Sequence, residues 1–110
     1  MTQIFAPVRS LPRLTRRLTI SVHDGWKGEV VDLSAVGLRI RTVLDLPKDS
    51  QIEAALQLEG GRTIPIRARV VWVNPAQHLE KVPAELGLEL SEVSEDYTRL
   101  VAELFAEAAG

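Results

Sequence analysis

Arg9 and Arg13 stand four residues apart in a stretch that carries no acidic residue before Asp24. Two guanidinium groups at that spacing can converge on one anion, because each offers a planar fork of donors that suits a phosphate or a guanine edge. Arg16 and Arg17 extend the basic run, and Arg13 with Arg17 repeats the spacing. A second group, Asp32-Leu33-Ser34-Ala35-Val36-Gly37, puts a carboxylate, a hydroxyl and a glycine within one short stretch. Alone it reads as turn chemistry, with Gly37 supplying a backbone angle that side chains resist. A single arginine in a tail is equally well explained as solvated surface. The two groups together point to the holding of an anionic ligand or partner.

Catalytic chemistry is poorly served. Nucleophilic catalysis needs a nucleophile, a base and a group that orients the base. The histidines are His23, beside Asp24, and His78, in a polar stretch; cysteine is absent. Two isolated histidines without ligand spacing do not make a zinc site. No enzyme, metal or cofactor is expected. The net charge of −2 argues against a general nucleic-acid binder. A single-stranded binder would need aromatic platforms along a basic groove, and the large aromatics are Trp26 and Trp72, the latter expected to face the core. No DNA or RNA partner is therefore expected. No run of about 18 apolar residues could span a bilayer, and no secretory leader pattern or disulfide framework is present, so the expectation is a cytoplasmic protein without membrane insertion.

These residues must be positioned by a small, mostly β domain. Residues 1–16 lack a clean period and contain Pro7 and Pro12, which reads as a flexible N-terminal arm, and residues 17–110 hold the fold. Leu18, Ile20 and Val22 alternate with polar residues as in a half-buried strand, and Asp24-Gly25 turns into a second run from Lys27 to Leu33. Leu38 and Ile40 alternate with Arg39 and Arg41 in a third strand, which ends at the turn Leu46-Pro47-Lys48-Asp49. Ile52, Ala54, Leu56 and Leu58 give a fourth, closed by Glu59-Gly60-Gly61-Arg62. Ile64, Ile66, Ala68, Val70 and Trp72 share one face of a fifth, with Pro65 marking an edge or bulge. After a loop from Asn74 to Pro83, Leu86, Leu88 and Leu90 form the sixth. Ser94 with Glu95 and Asp96 reads as a helix N-cap and acidic first turn. Tyr97, Leu100, Val101, Leu104, Phe105 and Ala108 follow at helical spacing, a face that should cover one end of a small antiparallel barrel.

The order of these elements resembles the PilZ domain family, whose receptors bind the bacterial second messenger cyclic di-GMP. The family pattern is R-x-x-x-R in an N-terminal arm, a first strand, then D/N-x-S-x-x-G, and Arg9, Arg13, Asp32, Ser34 and Gly37 fill it. Pro12 resembles the proline often seen before the family's second arginine, and Arg17 looks like the first outward residue of strand one; both favour Arg9 with Arg13 over the other register, Arg13 with Arg17. Ala68-Arg69-Val70-Val71-Trp72, Gly87-Leu88-Glu89-Leu90 and the terminal helix look like the family's later elements. The resemblance implies a six-stranded antiparallel barrel with a C-terminal helix, and a cyclic di-GMP site built from those five residues. Arg9 and Arg13 would take a phosphate or guanine, Asp32 would accept from guanine donors, Ser34 would bind a phosphate or fix the turn, and Gly37 would allow close approach. The expected function is a bacterial cyclic di-GMP receptor without an output domain of its own. Ligand would order the arm, and an output protein would read the change. The alternative is a ligand-independent PilZ-like adaptor acting through protein contacts at the Tyr97 to Phe105 helix or a sheet edge.

Overall fold

The computed structural model describes residues 18–22, 26–44 and 46–109. Among these residues six strands, β1 (Thr19–Val22), β2 (Trp26–Leu33), β3 (Gly37–Thr42), β4 (Gln51–Gln57), β5 (Thr63–Asn74) and β6 (Ala84–Leu90), precede one α-helix, α1 (Glu95–Ala109). Every pairing is antiparallel, and the strands close in the order β1-β2-β3-β6-β5-β4. The barrel with its terminal helix is the architecture that the alternation predicts.

Closure falls to β1, a strand of four residues hydrogen-bonded on both sides: Ile20 lies opposite Gly28 of β2 and Leu56 of β4. The interior is then filled by the alternate residues of each strand, among them Ile20, Leu38, Ile40, Leu56, Val70, Leu86 and Leu88, all buried. Tyr97, Leu100, Val101 and Leu104 of α1 join that same core, so the helix caps its own barrel. Ser94 caps the helix as expected, its Oγ accepting from the Tyr97 amide at 3.1 Å.

Pro65 sits in β5 opposite Ala55 of β4. Arg67, two residues on and so of the same parity, turns its carbonyl away from β4 to accept from Ser91 at 2.9 Å. The proline nitrogen therefore also faces away from β4, at a level that β6 does not reach, because β5 and β6 pair only from Ala68 opposite Leu90 onward. Pro65 breaks no ladder and makes a local edge without a bulge.

Two bulges do occur, and both follow a valine pair. In β2 the register against β3 shifts between Val30 and Asp32; in β5 the register against β6 shifts between Val70 and Trp72. A bulge inserts one residue and so reverses which face the following side chains take. Val30 and Leu33 thus both point inward, while Asp32 turns out opposite Arg39. Val70 and Val73 likewise face the core, while Trp72 turns outward opposite Gly87. Strict alternation predicts a core-facing Trp72, and the bulge at Val71 overturns that expectation. A Cβ on Gly87 would overlap the Trp72 indole, so the missing side chain is the space the ring occupies.

Gly87→Ala is therefore expected to push Trp72 off the sheet, changing near-ultraviolet circular dichroism and lowering stability by about 1–3 kcal/mol in urea unfolding. Its inward neighbour Leu88→Ala should cost about 2–5 kcal/mol with no change in the folded indole signal.

Candidate functional site

The Asp32 to Gly37 stretch links β2 to β3. Ser34 is fully buried, its amide donating to the Gly37 carbonyl at 2.8 Å. Its hydroxyl donates to the same carbonyl and accepts from the Val36 amide, each at 3.4 Å. Ser34 thus fixes the turn, the second of its two expected roles. The Val36 carbonyl accepts from the Leu90 amide at 2.9 Å, tying the turn to the end of β6. Gly37 opens β3 opposite Glu89 and has the backbone of a strand. The expected awkward angle does not occur there; among the described glycines, positive φ belongs to Gly60 and Gly61 in the β4–β5 turn.

A contact from the far end of the chain completes the turn. The Tyr97 hydroxyl lies 2.7 Å from the Ser34 carbonyl oxygen and 3.0 Å from that of Gly37. Burial pushes this hydroxyl well above its ordinary value of 10.0, so it keeps its proton and remains a donor.

On the outer face, one cross-strand row runs Asp32 (β2), Arg39 (β3), Gly87 (β6) and Trp72 (β5). Arg39 Nη2 donates to Asp32 Oδ2 at 2.5 Å, and its Nη1 to Glu85 Oε1 at 3.4 Å. Arg41 Nη2 reaches the other Glu85 oxygen at 3.5 Å. The Asp32 side chain is 17% exposed and that of Arg39 38%, a partly covered pair at the rim of the turn. Arg39 Nε is buried without a hydrogen-bond partner among the described residues. Beyond it, half-buried Trp72 on the third strand from Asp32 lays its ring over Gly87, whose position is two strand spacings, ~10 Å, from Asp32.

Chemically the row offers a carboxylate acceptor, a guanidinium donor and an aromatic plate. That set can read the donor edge of a purine, pair with a phosphate and stack a base. The structure brings Asp32, Ser34 and Gly37 together as expected. Arg9 and Arg13, and the alternative Arg17, lie outside the described residues. Sequence reasoning missed Arg39, Trp72, Gly87 and Tyr97 as site residues. Gly87 inside a strand was a signal of close approach, and the doubled valines before Asp32 and Trp72 were signals of bulges. Tyr97 carries the one hydroxyl on an otherwise apolar helix face, a signal that it needs a buried partner, although the sequence does not say which. Among the described residues no cluster of His, Cys, Asp or Glu could hold a metal ion, and no helix is long and apolar enough to cross a membrane.

Comparison with known proteins bears on the family and the fold. The family model described as PilZ domain matches residues 7–107. Among curated proteins none matches. Among solved structures, the chain is similar to YcgR in complex with c-di-GMP from Escherichia coli, with TM-score 0.68 and 10% identity over 93% of this chain and 45% of that one. It is similar to the Bacillus subtilis inhibitor of motility MotI/DgrA, with TM-score 0.73 and 15% identity over 98% of this chain and 52% of the other. The PilZ domain of YcgR from Escherichia coli with c-di-GMP aligns with TM-score 0.67 and 12% identity, covering 92% of both chains. The chain spans about half the length of the YcgR and MotI chains it matches, and nearly all of the isolated domain. With the family model covering all but the ends of the sequence, the chain belongs to the PilZ domain family.

Proposed function

We propose that this chain is a receptor for cyclic di-GMP, binding it on the outer face of the barrel between the Asp32 to Gly37 turn and Trp72. The observation that carries the reading is the Asp32–Arg39–Gly87–Trp72 row beside a turn closed by its own hydrogen bonds. Two of the structural neighbours hold c-di-GMP, which supports the choice of ligand. Asp32 accepts from a guanine edge, Arg39 pairs with a phosphate or base, and Trp72 stacks on a purine. The Arg39 side chain is partly exposed, so its guanidinium can take a phosphate in place of Asp32 while Asp32 takes up a guanine donor and stays paired. Arg9 and Arg13 close over the ligand from the arm and supply the charge that its two phosphates require. Ordering of the arm then presents a changed surface that an output protein distinguishes.

The alternative is an adaptor that ignores the ligand and acts through protein contacts. The apolar face of α1 is buried in the barrel core, which leaves such an adaptor the outer face of the helix and the short edge of β5 around Pro65.

Isothermal titration of cyclic di-GMP should show binding to the native chain. Arg13→Ala should weaken it by about 10- to 100-fold, the worth of one charge-assisted hydrogen bond. No heat with either protein would discard the receptor reading in favour of an adaptor that ignores the ligand. Trp72→Ala should weaken binding by about 5- to 150-fold, the range for one base stacked on an aromatic ring. An unchanged affinity in that variant would remove the plate from the site.

A further inference from the structure

The turn that carries Asp32 is held from three directions, and one of them is the C-terminal helix. Gly37 offers its carbonyl to the Ser34 amide, Val36 to the Leu90 amide, and Ser34 to the Tyr97 hydroxyl. The first closes the turn on itself and the second ties it to the adjoining strand. The third comes from 63 residues away in sequence and is the shortest, at 2.7 Å. Ser34 is fully buried, so if this donor is removed no water replaces it without opening the turn.

The placement of that hydroxyl is itself rigid. Tyr97 belongs to the first turn of α1, its amide is fixed by the Ser94 cap, and its ring is fully buried. Leu100, Val101 and Leu104 seat the same helix in the barrel core. The oxygen can leave the turn only if the helix shifts or the ring swings out of the core. Because both turn carbonyls lie within reach of this single oxygen, a small displacement of α1 loosens both contacts at once.

We propose that Tyr97 is the positioning residue of the ligand turn, and that through it the seating of α1 on the barrel and the affinity for cyclic di-GMP form one linked equilibrium. This rests on the receptor reading above. A ligand that requires one turn conformation pays a population penalty when the turn samples others, and the Tyr97 hydroxyl removes that penalty. Linkage is reciprocal: a ligand that holds the turn also holds the helix, and a partner that steadies α1 tightens the ligand by the same factor. The helix therefore serves as an output element whose seating reports the state of the site, although none of its residues lies in the Asp32–Trp72 row.

The test uses Tyr97→Phe, which keeps the ring in the core and removes only the oxygen, and Leu56→Ala on β4 as a control for general loss of stability away from the turn. Affinities come from titration with cyclic di-GMP, and amide hydrogen exchange over residues 95–109 is followed with and without it. The native chain should show slower exchange in α1 on binding. Tyr97→Phe should bind about tenfold more weakly and lose that ligand-induced protection, while Leu56→Ala melts lower but keeps both. Equal affinity in Tyr97→Phe, protection in the native chain that stops short of α1, or the same losses in Leu56→Ala would each overturn the inference and leave the receptor standing. Absence of binding by the native chain would overturn both.

Discussion

A small closed barrel has a full interior, and that constraint governs everything else in this molecule. Once β1 has paired with both β2 and β4, alternate residues of all six strands are committed to the inside, where Ile20, Leu38, Ile40, Leu56, Val70, Leu86 and Leu88 leave no room for a ligand. Any recognition chemistry has to sit on the outer face or at the ends. Period two then decides which residues can take part, because a side chain one step out of phase is lost to the core. The fold meets this restriction with two bulges. Each adds one residue after an inward valine, and each turns outward a side chain, Asp32 or Trp72, that strict alternation would have buried.

Those bulges also mark the boundary of what could be read from the sequence. Strand number, strand order along the chain, the helix with its cap, and the helix face that meets the core were all legible, because each rests on local alternation, turn residues or helical spacing. The Asp32, Ser34 and Gly37 cluster was legible as a motif. Its division of labour was legible only in part: fixing the turn was one of two roles open to Ser34, while the strand backbone of Gly37 and the outward turn of Asp32 beside Arg39 depend on the pairing of β2 with β3. Trp72 was misread because Val70-Val71-Trp72-Val73 offers two phases to an alternating pattern, and only the pairing with β6 selects between them. Gly87 resolves the ambiguity after the fact, since the ring needs the space that any side chain there would take. The tie between Tyr97 and Ser34 spans most of the domain and is invisible to any local pattern.

Charge supplies the last link between the barrel and the arm. On the described outer face, Arg39 and Arg41 are matched by Asp32 and Glu85, and Arg67 and Arg69 by Glu53, Asp49 and Glu89. Such a face offers geometry without a net positive field, and a ligand with two phosphates gains little from a balanced surface. The unbalanced positive charge lies in Arg9, Arg13, Arg16 and Arg17, ahead of the first carboxylate of the chain. In the receptor reading the site is thus split by physical role: the barrel supplies shape, an acceptor and a stacking plate, and the arm supplies attraction. On that reading neither half suffices: a ligand held by both would make the two halves favourable together, and through that dependence an arm of mixed, proline-containing sequence would carry a signal.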